Sequence, residues 1–272
     1  MSSAFHNSES MTTVKSICEI IEEFAPLSLC ENYDNVGLLV GDEQMEVSGV
    51  LITLDVTEAV LDEAIQKKCN MIVSHHPLIF SGIKQVTTST PVGEKICMLI
   101  KNNISHIAVH TNLDVVSGGT NDVLAELVGL KNIEVLAPTK EIDGVKYGIG
   151  RIGDIEESTF EAVAEKIKES LSLKVIKIVG KKDRVIKRAG LCTGSGVEFM
   201  KDAINKGADV YITSDIRFHE SQKALDMGIC LIDVTHYASE NIVVPVISKF
   251  LSKVGDFEVV ESFVDGQVFD YL

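Results

Sequence analysis

A helix, a short turn and a buried strand occur twice in this chain at one fixed offset, and that repeat narrows the possible architectures more than any other feature. Ala64-Ile65-Gln66-Lys67 followed by Met71-Ile72-Val73-Ser74-His75 aligns without a gap with Ala203-Ile204-Asn205-Lys206 followed by Val210-Tyr211-Ile212-Thr213-Ser214. The same offset pairs Val50-Leu51-Ile52 with Ala189-Gly190-Leu191. Two copies of one supersecondary unit predict two related lobes that face each other. The competing explanation is chance likeness between helix–strand units, of which any α/β chain holds several.

The remaining periodicity fills in around the repeat. Val14, Ile17, Ile20, Ile21 and Phe24 recur at helical spacing, so 13–24 reads as an amphipathic helix. Strand-like runs at 37–40, 50–54, 71–73 and 107–109 alternate with helical patterns at 58–67, 92–101 and 121–127. Residues 130–144 carry Pro138 and Gly144 without a clear period and read as an interdomain connection. Beyond them, strands are expected at 145–149, 173–179, 189–192, 210–212 and 230–233, with helices at 160–170, 197–206 and 220–227. A closing helix over 240–253 and a strand near 257–263 complete the count. The expectation is an α/β chain of two related three-layer lobes with mixed, mainly parallel sheets. The first lobe takes 1–130, with the closing segment 229–272 packing back on it, and the second takes 131–228.

Composition sets the class and excludes some partners. Among 272 residues, 45% are apolar and 24% charged, which is enough to build a packed core. A net charge of −15 opposes nucleic-acid phosphates and anionic membranes, so neither is an expected partner. The stretch from Met1 to Met11 has no basic or apolar leader pattern, and no run approaches the roughly 18 apolar residues of a membrane span. A soluble, cytoplasmic protein is therefore expected. Six cysteines lie scattered with no Cys-x-x-Cys pair, which favours reduced, packed thiols. The basic run Lys181, Lys182, Arg184, Lys187 and Arg188 reads as a solvated hairpin.

In open α/β sheets, functional groups gather past the carboxyl ends of the strands, where loops converge on a crevice. Ser74-His75-His76-Pro77 follows one expected strand, and His110-Thr111-Asn112-Leu113-Asp114 follows the next. Ser214-Asp215 ends a third, and Asp233-Val234-Thr235-His236 a fourth. Within a regular strand His75 and His76 would point to opposite faces. At its end, with Pro77 limiting the next step, both rings can turn into one cavity. Neutral imidazole nitrogens suit zinc, manganese, iron or nickel, and a carboxylate such as Asp114 can bridge two cations. His236 and Glu240 are four apart, so one helical turn sets both on a common face. Taken singly, each group has a plainer role: a surface His pair, a helix cap at Asp114, an ordinary helix-surface pair at 236 and 240. Taken together, His75, His76, Asp114, His236 and Glu240 favour a centre of two divalent metal ions.

At these residues the sequence resembles the Nif-three-like family, whose members are often named GTP cyclohydrolase 1 type 2 homologues. The motifs that carry the resemblance are Ser74-His75-His76-Pro77-Leu78-Ile79-Phe80-Ser81-Gly82, His110-Thr111-Asn112-Leu113-Asp114 and Thr235-His236-Tyr237-Ala238-Ser239-Glu240. Asn32-Tyr33-Asp34-Asn35-Val36-Gly37 and Thr213-Ser214-Asp215-Ile216-Arg217-Phe218-His219 add to it. The resemblance implies two α/β lobes around a dinuclear site, the five ligands just named, and a ring-shaped homo-oligomer, commonly a hexamer. Two departures stand out: Tyr33 replaces the family's usual tryptophan, and the chain is similar to the short form without an inserted domain. The implied activity is metal-dependent hydrolysis of a nucleotide-like or other small substrate. His219, after the Ser214-Asp215 strand end, is the candidate for proton transfer, with His110 as the alternative. The competing function is a metal-binding adaptor or metal-handling protein without turnover.

Overall fold

The short strands over 49–53, 71–74, 210–213 and 230–233 are buried on both faces, so each must be covered twice, and the computed structural model shows how. It describes residues 12–253 and 257–272; the reading of Met1 to Met11 falls outside them.

The first sheet contains β1 (Gly37–Val40), β2 (Gly49–Thr53), β3 (Met71–Ser74), β4 (Ser105–Ala108) and β11 (Glu258–Glu261), in the order β1-β4-β3-β2-β11. Its inner pairings are parallel and only β1 runs against its neighbour. Val50, Ile52, Met71 and Val73 face α1 (Val14–Phe24) and α10 (Val244–Leu251). Leu51 and Ile72, between them in sequence, face α2 (Glu58–Gln66) and α3 (Pro91–Lys101). That is a three-layer lobe, with threonine side chains at 13, 57 and 90 capping three of its helices.

The second sheet contains β5 (Lys131–Ile142), β6 (Val145–Thr159), β7 (Lys177–Val179), β8 (Val185–Leu191), β9 (Val210–Thr213) and β10 (Cys230–Asp233), in the order β5-β6-β8-β9-β10-β7. Here parallel pairing is confined to β8, β9 and β10. Ala189, Leu191, Val210 and Ile212 pack on α5 (Thr120–Val128) and α6 (Phe160–Ser170). Tyr211 and Leu231 pack on α7 (Met200–Asn205) and α8 (Phe218–Met227). The repeat is visible in the register: Val50 pairs with Met71 as Ala189 pairs with Val210.

Four local readings change. Residues 130–144 are no linker; β5 and β6 form a long hairpin turned at Asp143-Gly144, both at positive φ. β5 is an edge strand exposed along most of its length, so it carries no alternating pattern to read. The expected strand at 173–179 shortens to β7. β10 pairs within the second sheet, so the chain does not leave the second lobe at 229; Val243 and α10 are the part that packs back on the first sheet. The closing helix is split into α9 (His236–Glu240), a tight turn over Asn241–Val243, and α10, whose Pro245 has no N–H to continue a ladder from the preceding turn. All six cysteines are free, and no described helix is long and apolar enough to cross a membrane.

Candidate metal centre

The carboxyl ends of β2, β3 and β4 meet those of β8, β9 and β10 across the space between the lobes. Asp55 follows β2, His75 and His76 follow β3, and His110 follows β4, with Asp114 on the short helix α4 (Thr111–Val115). From the other lobe come Gly194 after β8, Asp215 after β9, and His236 and Glu240 one turn apart on α9. In the internal repeat Asp55 is equivalent to Gly194 and His76 to Asp215, so equivalent positions converge on one place. Thr235 and Asp215 both hold positive φ, at 65° and 56°, a conformation costly for side chains with a Cβ and tolerated where a site demands it.

The four imidazoles form one cluster. His75 and His76 lie 5.2 Å apart between ring centroids, His75 and His110 5.1 Å, and His76 and His236 5.3 Å. Each ring has its Nδ1 engaged: His75 donates to the Val109 carbonyl at 2.8 Å, and His76 to Asp55 at 2.8 Å. His110 does the same with Asp34 at 2.9 Å and His236 with Asp215 at 2.7 Å. A neutral ring that donates from Nδ1 has a lone pair on Nε2, the form in which histidine binds a cation. The Nε2 atoms of His76 and His236 both face one oxygen, Glu240 Oε2, at 2.8 and 2.9 Å. His75 Nε2 faces Asp114 Oδ1 at 3.6 Å, and both atoms are buried without a hydrogen-bond partner.

Lone pairs set against carboxylate oxygens repel unless a proton or a cation lies between them, and buried polar atoms are rarely left orphaned. The titration behaviour expresses the same demand. Burial pushes the His76 imidazole down, but hydrogen bonds to Asp55 and Glu240 push it up to about 10. The bond to Glu240 outweighs burial at His236 and raises it to about 9. Burial would raise Glu240, yet the bonds from His236 and His76 hold it well below the usual carboxylate range. Burial is the largest cause that drives His75 down, helped by the neighbouring His76 and His110, and Asp114 up, helped by the Glu240 charge. His75, His76 and His110 form one group able to hold a metal ion, and His76, His236 and Glu240 form another, with His76 common to both.

All five residues read from the sequence as ligands reach this cluster, and His110 joins them. His219 does not: it lies exposed on α8, with its Nδ1 bonded to Gln222 at 2.9 Å and its ring against Phe218. The orienting carboxylates Asp34, Asp55 and Asp215 carried no role in the sequence reading. Asp55 and Asp215 had the same signal as the histidines, a position just past a strand end. Gly194 was also missed; a Cβ there would collide with Glu240 Oε1.

Fold and cluster define a class: two-lobed α/β proteins whose facing strand ends gather histidines and carboxylates into a candidate metal site. The chain matches the DUF34/NIF3 family (NGG1p interacting factor 3) over residues 12–266, and it belongs to that family. A Clostridium acetobutylicum relative named "GTP cyclohydrolase 1 type 2 homolog" is 40% identical over 240 residues, covering 88% of this chain and 89% of its own length. A Bacillus subtilis relative of the same name is 28% identical over an alignment of 346 positions, longer than this chain, so it carries inserted sequence that this chain lacks. Among solved structures, a Bacillus cereus protein related to NIF3 superposes with a TM-score of 0.91 at 28% identity, covering 96% of this chain and 99% of that one. A Staphylococcus aureus protein superposes at 0.87 and 33% identity, with coverage of 96% and 99%.

Proposed function

We propose that this protein is a metal-dependent hydrolase acting on a nucleotide-like or other small substrate, with two divalent ions held between the lobes. His75, His76 and Asp114 would hold one and His76, His236 and Glu240 would frame the other. The observation that carries the reading is the common wiring of the imidazoles: every Nδ1 is committed to an oxygen, and the Nε2 atoms of His75, His76 and His236 are turned toward Asp114 or Glu240. Divalent ions in such a setting lower the pKa of water toward neutrality and polarise an electrophile.

The chain's own residues supply the rest. His110, oriented by Asp34, is the proton-transfer group in this reading, because its ring lies 5.1 Å from His75 and 5.6 Å from His76. Burial lowers its affinity for a proton, but the bond to Asp34 raises it above the usual imidazole value, which suits it to give up a proton late. Phe80 exposes its ring 6.4 Å from His110, and a planar substrate could lie on it; Tyr33, also exposed, precedes Asp34 in the chain. The relatives' name supports a nucleotide as the first substrate to try.

The test is turnover of a panel of nucleotides, GTP included, and phosphoesters by protein loaded with manganese, zinc or iron. The expected result is hydrolysis of at least one member, lost in His76→Ala while the folded state is retained. Metal-bound protein that hydrolyses nothing on such a panel would overturn the reading.

A further inference from the structure

The candidate ligands come from two separate sheets, so their spacing depends on what locks one lobe to the other. One continuous path of buried polar contacts does this. Asn121, at the start of α5 and fully buried, donates from Nδ2 to the backbone carbonyl of Asp114 at 3.1 Å. Its Oδ1 accepts the backbone N–H of Thr193 at 3.0 Å, from the loop that follows β8. The next residue, Gly194, donates its N–H to Ser239 Oγ at 3.0 Å, and Ser239 Oγ donates to the His236 carbonyl at 2.8 Å. Ser239 is also fully buried and precedes Glu240 on α9. Gly194 lies so close to Glu240 that its missing Cβ is what leaves room for that carboxylate.

We infer that Asn121 is a positioning residue that sets the distance between the Asp114 and Glu240 sides of the metal centre, acting through the strap Asn121–Thr193–Gly194–Ser239. The inference rests on the metal-centre reading above. An asparagine suits this place because it offers a donor and an acceptor at once, and the strap needs one of each. Leucine or alanine there would leave the Asp114 carbonyl and the Thr193 N–H unpaired in a dry interior, and the two loops would drift to find other partners. Asp114 Oδ1, which lies 3.6 Å from His75 Nε2 without a hydrogen-bond partner, is the atom whose distance from Glu240 would change. Groups behind metal ligands typically change metal affinity by about tenfold to a hundredfold when removed.

The test uses the full chain stripped of metal and titrated with Mn2+, in four forms: wild type, N121A, S239A and L124A. Ser239→Ala cuts the strap at another link without touching α5, so the inference stays testable if N121A fails to fold. Leu124 is buried in the second core on the same helix, outside the strap, and L124A reports plain softening of α5. Calorimetric titration gives affinity, electron paramagnetic resonance gives the exchange-coupled signal of a manganese pair, and thermal unfolding gives apo stability. The expected result is a tenfold or greater loss of affinity in N121A and S239A with loss of the coupled signal, both retained in L124A despite a lower Tm. Wild-type affinity and coupling in N121A and S239A would overturn the inference, as would the same loss in L124A. Failure of the metal-centre reading looks different: no Mn2+ uptake by any of the four proteins.

Discussion

The imidazoles at the cleft are held as ligands are held, one nitrogen fixed and the other left to act. Asp55, Asp34 and Asp215 fix the ring planes of His76, His110 and His236, and the Val109 carbonyl fixes His75. In metal-free protein the price of this arrangement is protonation, with His76 raised to about 10 and His236 to about 9. A cation that takes the two Nε2 positions must displace those protons. Metal binding near pH 7.5 is therefore expected to release about one to two protons. Titration calorimetry in buffers of different ionisation enthalpy checks this: the apparent enthalpy should vary linearly with the buffer term, and affinity should rise with pH up to about 9. An apparent enthalpy independent of buffer would contradict the assignment of His76 and His236. The histidines were legible in the sequence because the chain has only 7 and several follow strand ends. Their orienting aspartates were harder to single out: Asp55 and Asp215 also follow strand ends, each 21 residues before its histidine, but among 40 acidic residues that position does not assign a role, and nothing comparable marks Asp34. His219 follows a strand end too, which shows the limit of that signal: position after a strand does not say which way a helix then turns.

Among the elements, the buried strands were the most readable and the long hairpin the least. β2, β3, β9 and β10 are buried on both faces, so a short apolar run is all they can be. β5 is an edge and mostly solvated, and its sequence looks like a loop. The hairpin nevertheless holds the site, through one side chain of β6. Arg151 is 3% exposed and reaches out of the second sheet to the carbonyls of Val115 and Val116, at the end of the helix that carries Asp114. It also bonds the Gly148 and Gly150 carbonyls and pairs with Asp122 on α5. Removing Arg151 takes the cation from Asp122, whose carboxylate is 19% exposed, and the donor from carbonyls in a dry interior, where an unmade hydrogen bond costs about 1–3 kcal/mol. Arg151→Ala should therefore lower the free energy of unfolding in denaturant by that order. A loss below about 1 kcal/mol, the scale of an exposed pair, would show that Arg151 does not clamp α4 and α5 to the hairpin. Arg151→Lys should recover little of the loss, because one ammonium cannot reach carbonyls on two sides of a planar fork.

At the scale of the whole molecule, the repeat foretold two lobes, and their facing strand ends explain why the site is built from both. What the repeat could not foretell is how the lobes are joined, because Asn121, Arg151 and Ser239 act through backbone atoms that leave no mark on sequence pattern. A cation held by His76 from one lobe and by His236 and Glu240 from the other would bridge them, so binding should stabilise the whole fold. The sign with pH follows from His76. Its folded value lies above the ordinary 6.5, so its proton-linked contribution to the metal-free fold is complete below about 6.5 and is lost as pH rises toward about 10. Metal-free protein therefore weakens over the window in which deprotonated imidazoles favour the ion. Added Mn2+ at about 100 times its dissociation constant should contribute about 2.7 kcal/mol, read as a rise in Tm reversed by a chelator. With the ion concentration held fixed, that rise should be larger at pH 8.5 than at pH 6.5. A Tm unchanged by metal, or a rise that shrinks with increasing pH, would mean that the two lobes do not share a cation through these imidazoles.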